Sequence, residues 1–151
     1  MGVVINDLAD LKNFIKLKHS KKKIEMKFDD VVFNCVLPHK RHFNYFCEQD
    51  IQDYDVSIIA KSVTFNYPAE IDNLHVSQVV ANDSLICELI NVIGDVRGAY
   101  IATNSFIGID ITAGTFVVKN LVCRHIKVKL LVLNNEDYPY LKADAINNIG
   151  V

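Results

Sequence analysis

At 151 residues the chain has the length of one ordinary domain, with half its residues apolar, 23% charged and only three prolines. That composition excludes a disordered chain, which is poorer in apolar residues and richer in charge of one sign. A formal net charge of -2 excludes both a strongly basic nucleic-acid binder and a strongly acidic nucleic-acid mimic, so any nucleic-acid contact must rest on local charge.

The N-terminal stretch MGVVINDLADLKNFIKLKHSKKK lacks the unbroken apolar run of a secretory signal, and no run of eighteen apolar residues occurs elsewhere. A cytoplasmic protein without membrane contact is expected. Asn6 stands where a myristoylation signal carries Ser or Thr, which argues against lipidation. Residues 1–23 predict a helical cap: Leu8, Leu11, Phe14, Ile15 and Leu17 fall at helical spacing between Asn6 and Lys18. Asn6 or Asp7 suits its N-cap, and Lys16, Lys18 and Lys21 to Lys23 suit its negative end.

Residues 24–79 alternate in short pieces, KIEMKF, DVVFNCVL and DVSIIAKSVTFNY, separated by the turn-like PHKRH and YPAEIDN. Irregular capping strands are expected there. Within this region CVLPHKRHFNYFC holds Cys35, His39, His42 and Cys47, which are zinc-type ligands. Their separation by three, two and four residues matches no familiar finger, so a plain hairpin is favoured and no cofactor is expected. Lys40 and Arg41 interleave with Phe43, Tyr45 and Phe46, the mixture that single-strand binders use. The four cysteines, Cys35, Cys47, Cys87 and Cys123, read most simply as small apolar residues of a reducing compartment.

From 80 to 133 a large apolar residue returns every fifth position. It stands at Val80, Leu85 and Ile90, then after a skip at Asp95 at Val96, Ile101, Phe106, Ile111, Phe116, Leu121, Ile126 and Leu131. With half of all residues apolar, a fixed register gives that result by chance roughly once in two thousand trials. The third positions, such as Cys87, Gly98, Gly108 and Ala113, are mostly small or β-branched. Alternation along a strand turns positions one and three to the same side, leaving two residues for a corner. Four such units predict a square coil of roughly 20 residues, with coils stacked at about 4.8 Å. About three coils result, closed by the N-terminal elements and by a C-terminal cap over 134–151.

The stretch DVRGAYIATNSFIGIDITAG resembles pentapeptide-repeat proteins, and also β-solenoids of the bactofilin type. The resemblance implies a mainly β, short-repeat β-solenoid, with a square β-helix as its form. It further implies a non-enzymatic interaction module, such as a phage or mobile-element inhibitor of a nucleic-acid machine, or else a filament or particle subunit. Here the large residue precedes the small one, the reverse of a typical pentapeptide repeat.

Position two of each unit then faces outward. Seven of its eleven residues are apolar, among them Ile86, Ile107, Val117, Val122 and Val132. Contiguous exposed apolar surface marks an interface, so self-association as a homodimer or higher homo-oligomer is expected, with any other protein partner unidentified. Lys119, Arg124, Lys127 and Lys129 suggest a basic strip that, with Lys40 and Arg41, would suit phosphates; nucleic-acid binding is the less favoured reading. His125 reads as a surface residue. No phosphate loop, nucleophile elbow or zincin helix occurs, and the six-residue period of solenoid acyltransferases breaks at Lys119 and His125. No enzyme is expected.

Overall fold

Inward and outward side chains alternate along almost every segment, and one sheet results. The computed structural model describes residues 2–37, 54–133 and 141–148. Among the described residues there are nine strands: β1 (Gly2–Ile5), β2 (Ile15–Lys18), β3 (Lys23–Lys27), β4 (Asp30–Phe33), β5 (Asp55–Phe65), β6 (Ala69–Val92), β7 (Asp95–Ile107), β8 (Asp110–Leu133) and β9 (Leu141–Asn148). They pair in the order β1-β4-β5-β6-β7-β8-β9, with β3 also on β5; these pairings are all parallel, and β2 alone runs antiparallel, against β3. Among the described residues, helix is confined to two short 3₁₀ segments, Leu8–Asn13 and His19–Lys21.

The register carries the architecture. Ile58 pairs with Leu74 and Leu85 with Ile101, steps of sixteen residues, while Ile101 pairs with Phe116, a step of fifteen. A straight strand would hold such residues about 50 Å apart, whereas paired strands lie about 4.8 Å apart. The chain therefore turns back alongside itself within each step. The same return occurs along β6, where the N–H of Ile93, just past its end, donates to the Val76 carbonyl at 3.1 Å.

Fifteen residues is three five-residue units, where the sequence predicts a return after four. Each unit sends two positions inward. One column is Val31, Val63, Val79, Val96 and Ile111, successive partners each 1% exposed. A neighbouring column starts at Ile5, passes through Phe33 and Phe65, whose rings stack at 5.2 Å, and continues as Ala81, Gly98 and Ala113. Its thinning coincides with the arrival of Phe106 and Phe116 in other columns, edge to face at 5.4 Å and fully buried. A Cβ on Gly98 would stand 2.7 Å from Ile101 Cδ1, and one on Gly108 would stand 2.7 Å from Phe106 Cε1. The small third positions thus make room for the large first positions at near-constant interior volume.

Two boundaries differ from expectation. The stacking does not begin at Val80: Lys23 pairs directly with Asp55, and the Val31 column already lies in the core. Val80 itself is 38% exposed, with Val79 and Ala81 buried on either side of it. The cause is the register shift between Ala81 and Ser84, which advances the repeat by one residue at that corner. At the far end, the C-terminal stretch supplies a further parallel strand, β9, on β8.

The expected N-terminal helix is a 3₁₀ turn and a strand. Asp7 caps Leu8–Asn13, accepting from the Asp10 N–H at 3.1 Å, while the Asp10 side chain accepts from the Asp7 N–H in return. Leu11 is fully buried, and Phe14 packs on Phe28 with ring centroids 4.8 Å apart. Ile15 to Lys18 then pairs with Met26 to Lys23, because an unfilled sheet edge offers those residues a ladder that a short helix cannot match. Lys18 Nζ reaches Glu25 Oε2 at 2.8 Å, and this bond holds the Glu25 carboxyl below its ordinary range against its partial desolvation.

A polar ladder runs up one outer corner. Asn82 Nδ2 donates to Asn66 Oδ1 at 2.7 Å, Asn66 donates to Asn34 at 2.7 Å, and Asn34 to Asn6 at 3.5 Å. Stacked side-chain amides give each rung a donor below and an acceptor above, the bonding seen in other stacked β assemblies. The ladder ends at the register shift after Ala81.

Candidate interaction surface

The segments 84–88, 100–104 and 115–119 lie on successive strands, with Ser84, Tyr100 and Thr115 in register and Ile86, Ala102 and Val117 in register beside them. Leu85, Cys87, Ile101, Thr103, Phe116 and Val118 point into the core, which forces their even-stepped neighbours outward. The result is a flat strip three columns wide. Its middle column, Ile86, Ala102 and Val117, is apolar: Ile86 is 44% exposed, while Ala102 and Val117 are half-buried. Tyr100, on the first column, is 39% exposed.

The third column is charged. The Asn104 amide donates to the Glu88 carboxylate, and Lys119 follows on the next strand in the position between Thr103–Val118 and Ser105–Asn120. A hollow of about 140 Å³ lies between the apolar and charged columns, over the small side chain of Ala102.

Of the five apolar positions singled out from sequence, the structure sets Ile86 and Val117 in one column, on either side of Ala102, and Val132 is exposed. Ile107 and Val122 pair with each other in a different column, behind Asn91. Ile107 is exposed and Val122 half-buried.

The basic residues do not stack. Lys119, Arg124, Lys127 and Lys129 fall within one fifteen-residue step, so they are distributed around the chain's path instead of along one face. The expected strip is corrected on that ground. What does stack is Arg97, Thr112 and, one step on, Lys127, beside a column of Asp95, Asp110 and His125. These six line a groove of about 260 Å³, in which His125 Nδ1 lies 2.8 Å from Asp110 Oδ1. Charges of both signs share that groove, so it has no net preference for phosphate. Lys40 and Arg41 lie outside the described residues.

Of the zinc-type set, Cys35 is half-buried, and its thiol is pushed up first by burial and then by the Asp7 and Asp10 carboxylates. His39, His42 and Cys47 lie outside the described residues. Among the described residues no group of three or more His, Cys, Asp or Glu side chains could hold a metal ion, and no helix is long and apolar enough to cross a membrane.

Cys87 and Cys123 are buried core residues, as the sequence suggested. Burial drives the Cys87 thiol far above its ordinary range, and Cys123 Sγ lies 3.2 Å from the Ile109 carbonyl oxygen. The thiolate is the reactive form, so a disulfide reagent should leave both unmodified in the folded chain and label both in denaturant. Rapid native labelling of a Cys35→Ser, Cys47→Ser variant would contradict the core packing.

The alignment of Glu88, Asn104 and Lys119, and the Arg97–Thr112–Lys127 stack, escaped the sequence reading, because the three-unit return that aligns them was not known. No family model, no curated protein and no solved structure matches this chain.

Proposed function

We propose that this chain is a three-walled β-solenoid that works without catalysis, as a protein-interaction module associating with a second copy of itself. The return of the chain every fifteen to seventeen residues supports the solenoid form. A coil built that way is stiff, since each rung is bonded to the rungs above and below it. It presents a flat surface at little cost in conformational freedom on binding. The observation that carries the functional reading is the apolar column Ile86, Ala102 and Val117, with Ile86 exposed and the other two half-buried, on a strip otherwise edged by polar groups.

Val117→Lys should reduce a two-chain species to one chain in sedimentation velocity, with the far-ultraviolet spectrum unchanged. Val122→Lys, in the other column, should leave the mass as it is. Equal effects of the two substitutions, or none from Val117→Lys, would overturn the assignment of this strip.

A further inference from the structure

Resting on that self-association, the charges on the strip fix how two copies meet. Two two-fold arrangements lay the strip flat upon itself. With the axis along the stack, the rungs run in the same direction and the column of Glu88, Asn104 and Lys119 faces the partner's column of Ser84, Tyr100 and Thr115. No charges then pair. With the axis along the strands, through the rung of Ala102, the rung order is reversed and each column faces its own copy. Ile86 then meets the partner's Val117, Ala102 meets its counterpart, and Asn104 meets its counterpart. Glu88 lies two rungs from Lys119, about 10 Å at about 4.8 Å per rung. The reversed arrangement therefore sets Glu88 opposite the partner's Lys119 and Lys119 opposite the partner's Glu88.

We infer that the chain forms an antiparallel two-fold dimer through this strip, with two reciprocal Glu88–Lys119 pairs along one edge. An isologous contact needs a self-complementary patch, and a column with an acid at one end, an amide at its centre and a base at the other supplies one. The amide at the centre is apt, because an Asn side chain both donates and accepts and so can bond its own copy across the axis. The small Ala102 at the same rung leaves the hollow over the axis in which the two Asn104 side chains meet. The apolar column provides the association, and the charges select the orientation, since like charges set opposite each other disfavour the wrong pairing.

The test is a charge exchange on the full chain. Glu88→Lys alone sets two lysines opposite each other at both ends of the edge, and Lys119→Glu alone sets two carboxylates opposite each other there. Each single variant should dimerise at least about tenfold more weakly than the unaltered chain. Mixing the two variants in equal amounts should restore association to within about threefold, because every lysine on this edge then faces a glutamate of the other variant. The doubly exchanged chain, Glu88→Lys with Lys119→Glu, should recover likewise. Both positions are on the outer surface, and thermal melting of each variant checks that the fold is kept. If the unaltered chain dimerises but the mixture stays as weak as its parts, or the single variants are unimpaired, the antiparallel pairing is overturned and self-association stands. If the unaltered chain is monomeric throughout, both readings fall.

Discussion

Phe116→Ala is expected to lower the unfolding free energy by about 3–5 kcal/mol, the largest loss of any single substitution considered for this chain. Phe116 is fully buried, partners Ile101 on the preceding strand and meets Phe106 edge to face at 5.4 Å. Removing the ring leaves a void that the surroundings cannot close. Rung spacing is set by backbone hydrogen bonds above and below, so neighbouring strands cannot move inward without breaking a ladder. Urea denaturation followed by circular dichroism measures the effect. A loss below about 1 kcal/mol would mean that the site collapses freely, which the stacked core does not allow.

The second large effect is expected at Gly114. A Cβ there would lie 2.6 Å from the carbonyl oxygen of Ala99, a backbone atom of the adjacent rung. The added carbon has to push two rungs apart, so Gly114→Ala should cost about 1–3 kcal/mol. Gly98→Ala is the informative comparison. Its Cβ would meet side-chain atoms, Ile101 Cδ1 at 2.7 Å and Cγ1 at 2.9 Å, and the backbone only at the Ala81 carbonyl oxygen, 3.3 Å away. Gly98→Ala should therefore cost distinctly less. Thermal and urea unfolding of the two variants side by side decide the point; the reverse ranking would contradict the close approach of the rungs at residue 114.

The five-residue period was legible because burial follows it. Nine of the eleven first positions, from Leu85 to Ile126, are buried, and Cys87, Val92, Thr103, Ala113, Val118, Cys123 and Val128 are buried third positions. The number of units per return of the chain was not legible, because a period of five fits a return of fifteen residues and one of twenty equally well. Only a long-range register such as Ile101 with Phe116 separates them. That one ambiguity propagated. It hid the alignment of Glu88, Asn104 and Lys119, and that of Ile107 with Val122.

Local errors have local causes. Val80 fits the period and still faces outward, because a shift between Ala81 and Ser84 slips the chain by one residue, and a one-residue slip reverses every side chain. Leu8, Leu11 and Phe14 show helical spacing, but the open edge of β3 captured Ile15 to Lys18 as a strand. The Asn ladder was invisible for a different reason. Its members are separated by 28, 32 and 16 residues, and no regular sequence period joins them.

Light scattering after size exclusion, across a concentration series of the unaltered chain, tests the central claim most directly. A mass of two chains at high concentration, falling towards one on dilution, is the predicted result. A mass of one chain at every concentration would contradict it, and so would a growing, open-ended polymer, since a closed two-fold contact leaves no strip free for a third copy.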